Sequence, residues 1–222
     1  HSKVDYVSNI DRGGRFRDRN PDPHSAFWHS DGSWAKTPPK ATLLYADQAP
    51  KSGGETRFID TFSLYDRLPP RLQKQLRGLY AIHDLELSRA YRRRQWPCQR
   101  RPGKSISESL LLNLSWLAAQ HHRLRSTGFV YHRIVRPHPE TGRRAIFLGD
   151  HAWAVKSRFL PFGVYRMIRL KRAIYSRALQ YTHIWRPGDL LVWDNRCVLH
   201  RAGNAGVGSH ARVLRRCVVL GQ

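Results

Sequence analysis

Apolar residues in this chain come in short runs that mostly alternate or fill four to eight positions, with turn formers between them. Ala41-Thr42-Leu43-Leu44-Tyr45-Ala46 is one such run, and it reads as a largely buried strand. It lies between the turn signal Thr37-Pro38-Pro39-Lys40 and the loop Asp47 to Gly54. After Gly53-Gly54, which permit tight backbone geometry, Glu55-Thr56-Arg57-Phe58-Ile59-Asp60 alternates with the period of two expected of a half-buried strand. The period then changes. Leu64, Leu68, Leu72, Leu76 and Leu79 recur at spacings of three and four, so Thr61 to Gly78 is helical, in two pieces because Pro69-Pro70 interrupts it. Ile106 to His121 shows a second helical face in Leu110, Leu111, Leu114 and Leu117.

Strand patterns resume at Phe129 to Val135 and Arg144 to Leu148, joined by the turn-rich Pro137 to Gly142. Pro161 to Leu179 is a basic amphipathic helix. Tyr181 to Trp185 and Leu190 to Trp193 are strands on either side of Pro187-Gly188-Asp189, and Arg212 to Leu220 is a last strand. Residues 1–27 are polar and broken by Gly13-Gly14 and Pro21-Asp22-Pro23, so they read as loop. Many short strands with helices to one side predict a mainly β protein with flanking helices, a double-stranded β-helix or jelly roll. No repeat, low-complexity linker or domain boundary interrupts the pattern, so residues 1–222 are expected to be one domain. Because the chain begins at His1 without a Met, a longer natural N-terminal part is expected.

Candidate chemistry gathers at two distant points. Trp28-His29-Ser30-Asp31 places a histidine and a carboxylate two positions apart, and His200 follows far downstream in Trp193-Asp194-Asn195-Arg196-Cys197-Val198-Leu199-His200. On extended chain, residues two apart share a face with Cα atoms roughly 6.6 Å apart, so both side chains could reach one ion. Two histidines and one carboxylate on one face of an octahedral ion leave three positions open, the arrangement of non-haem Fe(II) oxygenases. His-x-Asp alone is a weak signal, and its ordinary reading is the polar end of a strand, with Asp31 accepting hydrogen bonds in a turn.

Taken together, Trp28-His29-Ser30-Asp31, Gly53-Gly54-Glu55-Thr56, Trp193-Asp194-Asn195-Arg196 through His200 and the arginine-rich final strand resemble the taurine / 2,4-dichlorophenoxyacetate dioxygenase family (TauD/TfdA). The resemblance runs from about Trp28 to the C-terminus and is weakest over residues 85–128. It implies a jelly-roll enzyme dependent on Fe(II), 2-oxoglutarate and O2, which hydroxylates a small organic anion such as a sulfonate, aryloxyalkanoate or similar carboxylate and releases succinate and CO2. It further implies that His29, Asp31 and His200 hold the iron, and that Thr56 and Arg212 hold the distal carboxylate of 2-oxoglutarate. Arg216 would hold the acidic group of the substrate. Asp31 weighs against halogenation, because halogenases of this kind lack that carboxylate. If Arg212 to Leu220 is a strand, Arg212, Leu214 and Arg216 share one face, the two arginines roughly 13 Å apart, and Arg215 points the other way as surface charge. Trp185 and Trp193 are expected in core or pocket wall, and Cys197 as a small buried residue.

Charge leaves a rival open. The chain carries 39 Lys+Arg against 16 Asp+Glu, a formal net of +23, with a dense run from Arg89 to Lys104 interleaved by Tyr91 and Trp96. Such an excess admits a nucleic-acid or other polyanionic substrate for the same iron chemistry, or a non-catalytic basic binding module. A solvated basic loop is the favoured reading, and the metal set argues against a purely binding role. The three cysteines lack metal-type spacing and are odd in number, which suits a reduced cytoplasmic location over a disulfide framework. No apolar run reaches the ~18 residues of a membrane span. A homo-oligomer remains open.

Overall fold

A computed structural model describes residues 4–11, 13–16, 26–92, 103, 105, 107–108, 129–203 and 211–221. Most of the expected helix at 106–121 and most of the basic run up to Lys104 lie outside the described residues. Among the described residues the strands are β1 (Asp5–Ser8), β2 (Ala41–Gln48), β3 (Thr56–Asp60), β4 (Tyr80–His83), β5 (Val130–Arg133), β6 (Val135–Pro137), β7 (Arg144–Ile146), β8 (Ala152–Val155), β9 (Tyr181–His183), β10 (Leu190–Asp194), β11 (Val198–Ala202) and β12 (Val213–Val219). The helices are α1 (Thr61–Asp66), α2 (Pro70–Leu76), α3 (Leu85–Arg92) and α4 (Leu160–Tyr175).

Two sheets frame the molecule, one in the order β1-β12-β2-β10 and one in the order β11-β3-β9. Two further sheets, the three-stranded β5-β4-β8 and the two-stranded β6-β7, accompany them. Every pairing is antiparallel. β9 and β10 do not form a hairpin with each other. β9 pairs with β3 and β10 with β2, so the turn at Arg186–Asp189 carries the chain from one sheet to the other, as a jelly roll requires.

The period of two sorts the side chains. On β3 and β11, Ile59 and Leu199 point into a large core with α1, α2 and α4. Phe58 and Val198 join the second core, formed with Leu44, Ala46, Trp193 and Leu214 of the first sheet and Trp185 of the segment after β9. Thr56 and His200 therefore belong to the inner side of that sheet. α1 starts where Asp60 accepts hydrogen bonds from the Phe62 and Ser63 amides at 2.9 and 3.3 Å. α2 starts at Pro70, where a missing N–H costs nothing. α4 buries Gly163, Met167, Leu170 and Ile174, one stripe at helical spacing. A Cβ on Gly163 would meet the Val155 carbonyl oxygen at 2.3 Å, so glycine is what lets the helix lie against β8.

Candidate metal and cosubstrate site

His29 and His200 are joined directly through the backbone. Each donates its amide to the other's carbonyl at 2.9 Å, an antiparallel bridge that sets the two residues opposite each other with ring centroids 4.2 Å apart. Asp31 does not continue that extended chain. It opens the turn 31–34, closed by Ser33 N–H to the Ser30 carbonyl at 3.4 Å and Ala35 N–H to the Gly32 carbonyl at 2.8 Å. The shared strand face expected for His29 and Asp31 is thus replaced by a bridge followed by a turn, and the side chains still converge. His29 Nε2 lies 3.7 Å from Asp31 Oδ1, and His200 Nε2 lies 3.8 Å from Asp31 Oδ2. One donor atom from each of the three lies within 4.8 Å of the others.

These spacings are too long for hydrogen bonds and leave room for a cation between the groups. The ring orientation agrees: His29 Nδ1 donates to the Phe27 carbonyl at 2.7 Å, which leaves Nε2 as the nitrogen facing Asp31. Burial, reinforced by His29, pushes the His200 pKa down to about 3, so the ring is neutral and able to ligate. Its Nδ1 is buried without a partner among the described residues. Burial alone would raise the Asp31 pKa, but His200, His29 and the Thr42 hydrogen bond outweigh it and hold the carboxyl ionised. Two imidazoles and a carboxylate are a donor set that fits a divalent transition metal.

The carboxylate is oriented by residues that no motif singled out for that role. Thr42 Oγ1 donates to Asp31 Oδ2 at 2.7 Å and accepts from Asn195 Nδ2 at 2.8 Å, while Asn195 Oδ1 accepts from Trp193 Nε1 at 3.1 Å. Ser30 Oγ donates to the Asn195 carbonyl at 2.5 Å, which ties the metal loop to the turn after β10. Asn195 stands inside a motif already noticed. Thr42 carried no signal beyond a polar residue in an apolar strand.

Arg212 enters β12 with its guanidinium buried. Its Nε donates to the Gly54 carbonyl at 2.9 Å and a terminal nitrogen reaches Thr56 Oγ1 at 3.5 Å. Burial lowers its pKa to about 10. A Cβ on Gly54, whose φ is +69°, would lie 3.0 Å from Arg212 Cδ, so glycine here allows both the backbone conformation and the close approach. Thr56 Oγ1 also accepts from Trp185 Nε1 at 2.9 Å. With both lone pairs engaged, its hydroxyl hydrogen can be given only to an acceptor, and a carboxylate beside Arg212 would be one.

Arg215 and Arg216 face opposite ways. Arg215 is exposed and forks onto Asp47, its Nε 2.8 Å from Oδ2 and 3.0 Å from Oδ1. β12 shifts register against β2 between Val213 and Leu214, and Asp47 is the residue left without a partner strand position. Arg216 lies inward, with a terminal nitrogen 3.3 Å from Asp5 Oδ2 on β1. The six predicted residues His29, Asp31, Thr56, His200, Arg212 and Arg216 all line one cavity of about 140 Å³.

The remaining histidines do other work. His138 and Arg196 share Asp194, with His138 Nε2 3.0 Å from Oδ2 and the Arg196 guanidinium forked across the carboxylate. Cys197 is close enough to form a second possible metal group with His138 and Asp194, but burial pushes its thiol pKa up to about 12 and Asp194 is already paired. That cluster is an ion-pair network. His132 Nε2 donates to the Ala35 carbonyl at 3.0 Å, His151 bonds Ser88 Oγ at 2.9 Å, and His183 pairs with Asp189 at 3.0 Å. Burial holds His83 neutral between His132 and Phe147. His24, His121, His122 and His210 lie outside the described residues.

A jelly-roll interior with two histidines and a carboxylate around one point, beside a buried arginine, has the donor arrangement of mononuclear non-haem iron oxygenases. The chain belongs to the TauD/TfdA family: the family described as "Taurine catabolism dioxygenase TauD, TfdA family" matches residues 1–218. It is 31% identical over 219 residues to the alpha-ketoglutarate-dependent 2,4-dichlorophenoxyacetate dioxygenase of Cupriavidus pinatubonensis, covering 96% of this chain and 68% of that protein. It is 29% identical over 198 residues to the alpha-ketoglutarate-dependent sulfate ester dioxygenase of Pseudomonas putida, covering 88% of this chain and 60% of that one. Among solved structures, AAD-2 in complex with Mn(II) and N-oxalylglycine superposes with a TM-score of 0.76 at 26% identity, covering 99% of this chain and 73% of that chain. No helix among the described residues is long and apolar enough to cross a membrane.

Proposed function

We propose that this chain is an Fe(II)- and 2-oxoglutarate-dependent dioxygenase that hydroxylates a small organic anion, a sulfonate, sulfate ester, aryloxyalkanoate or similar carboxylate. The observation that carries the reading is the convergence of six residues from four separate stretches of chain on one small cavity. His29, Asp31 and His200 would hold the metal. Bound there, iron would supply activation of O2 coupled to decarboxylation of 2-oxoglutarate to succinate and CO2.

The protein's own contribution is placement. Arg212 offers a planar fork and Thr56 a hydroxyl donor to the distal carboxylate of 2-oxoglutarate, and their burial makes those bonds strong. Arg216 would hold the anionic group of the primary substrate in exchange for Asp5, its present partner. Trp34, Trp193 and Leu44 wall the cavity and limit water around the reacting C–H bond. The curated names of the relatives place aryloxyalkanoates and sulfate esters first among substrates to test. A cytoplasmic location and a single-domain chain belong to the same reading.

The deciding experiment is succinate formation from 2-oxoglutarate with Fe(II), run across a panel of aryloxyacetates, sulfonates and short sulfate esters. His200→Ala should abolish substrate oxidation while leaving the folded far-UV circular dichroism spectrum in place. Near-full activity in that variant would remove the central claim.

A further inference from the structure

A second basic concavity lies apart from the metal cavity, with a volume of about 700 Å³. Its walls are the loop that follows the metal turn, the β6–β7 hairpin, the Arg196 turn and the end of β12. Four cations, Lys36, Lys40, Arg136 and Arg196, face it against one lining carboxylate, Glu140. Glu140 is already engaged: its Oε1 lies 2.7 Å from Lys40 Nζ and 3.2 Å from Arg196. Asp194, behind the wall, is shared between Arg196 and His138. Among the described residues no side-chain hydrogen bond or ion pair engages Lys36 or Arg136, although Asp194 attracts Arg136 from behind the wall.

Arg136 is more than a stray surface charge. Its guanidinium carbon sits 3.5 Å from the centroid of the Phe147 ring, so the cation is held flat on an aromatic face with its N–H groups radiating in the plane. Burial and the neighbouring Arg196 lower its pKa to about 10 against the pull of Asp194, which offsets the desolvated cation only in part. A guanidinium immobilised by stacking, with its edge unspent, is a ready fork for a tetrahedral oxyanion. The cleft is much larger than a bare oxyanion, and Pro38, Pro139 and Leu220 add apolar wall beside the basic groups.

We propose that this cleft binds a small organic phosphate monoester, its phosphate held by Arg136 and Lys36 and its organic part lying against the proline-lined wall. The site uses none of the six residues of the metal cavity and stands whether or not the dioxygenase reading does. It also gives part of the chain's large positive charge a specific task.

The test is calorimetric titration of the full chain with phenyl phosphate and, separately, inorganic phosphate, at fixed ionic strength against a chloride control. Phenyl phosphate should bind saturably and several-fold tighter than inorganic phosphate. Affinity should fall at least tenfold in Arg136→Gln and about threefold in Lys36→Gln, an exposed position where folding is not at stake. Lys74→Gln, on the exposed side of α2, should change nothing, and binding should survive in Arg212→Gln, which excludes occupation of the cosubstrate pocket. Unsaturable binding, equal loss in Lys74→Gln, or loss confined to Arg212→Gln would overturn the site. Equal affinity for the two ligands would overturn the ester assignment. Tighter, steeply salt-dependent binding of a single-stranded oligonucleotide, lost in the same two variants, would replace the small ester with nucleic acid.

Discussion

Thr42→Val tests whether the Asp31 carboxylate is held for a metal. Thr42 is wholly buried on β2, and valine replaces its hydroxyl with a methyl of nearly the same shape, so packing is kept. Two bonds are lost: the 2.7 Å donation to Asp31 Oδ2 and the 2.8 Å acceptance from Asn195 Nδ2. A hydrogen bond to an ionised group contributes about 1.5–3 kcal/mol, and the amide left unpaired adds a desolvation cost of about 1–3 kcal/mol. The first loss bears on metal affinity, because a carboxylate free to rotate must be re-ordered on binding. Removing such an outer hydrogen bond typically weakens metal binding 10–100-fold, or about 1.4–2.8 kcal/mol. The second loss bears on stability and should lower the melting temperature without metal. Mn(II) titration by calorimetry separates the two, with Thr42→Ser expected to restore most of the affinity. Unchanged Mn(II) affinity in Thr42→Val, with a lowered melting temperature, would show that the Trp193–Asn195–Thr42 chain supports the fold and not the ligand.

Three further outcomes follow from the same geometry. Arg212→Ala should weaken 2-oxoglutarate binding by roughly 2–5 kcal/mol, since it strands a carboxylate opposite the Thr56 donor, while Thr56→Val should cost on the order of 1 kcal/mol; unchanged affinity in both variants would move the cosubstrate elsewhere. Arg216→Leu should leave 2-oxoglutarate affinity nearly intact, raise KM for an anionic substrate and lower the ratio of oxidised product to succinate, and an assay reading both products would expose a wrong assignment if neither changed. Burial would raise the Asp194 pKa, but Arg196 and His138 override it and take it from 3.8 to about 2. A depressed carboxyl stabilises the fold above its unfolded pKa and loses that contribution as pH falls through the folded one. Asp194→Asn should therefore cost about 1–2 kcal/mol at neutral pH, after allowance for solvent at the outer oxygen, with the gap to the parent protein closing between about pH 4 and pH 2 in urea titrations.

Much of the fold was legible because its signals are local. Pro69-Pro70 splits α1 from α2 as expected, and the Leu64-to-Leu76 spacing marks the faces they bury. The strands that escaped notice, β1, β4, β8 and β11, lack clear alternation. Ala152–Val155 is buried at all four positions, and Tyr80–His83 continues an apolar run that began in a helical register at Leu79. Asp5–Ser8 is polar because it is an edge strand whose inner neighbour, β12, carries the apolar side chains. Pairing was less legible than strand position: nothing in Tyr181–Asp194 tells that the two strands belong to opposite sheets, since the decision is made by which partner strand offers an open edge.

The site divides along the same line. A period of two on β11 puts His200 inside once Leu199 is committed to the helical core, and the same rule on β12 separates Arg212 and Arg216 from Arg215. Those roles needed only a face. His29 and Asp31 do converge, but not in the expected way, because the aspartate arrives through a turn and not along a strand. That turn is built from contacts made by residues far apart in sequence: Ser30 with Asn195, Ala35 with His132, Thr42 with Asp31. The same holds for Asp5, which no motif marks and which meets Arg216 only because β1 lies in register with β12. A motif can therefore name the atoms that would touch iron or an anion, whereas the groups that hold those atoms still are selected by the fold. It is on these holding groups that members of one family can differ in affinity and substrate while keeping an identical ligand set, and in this chain Thr42, Asn195 and Asp5 are where such differences would be found.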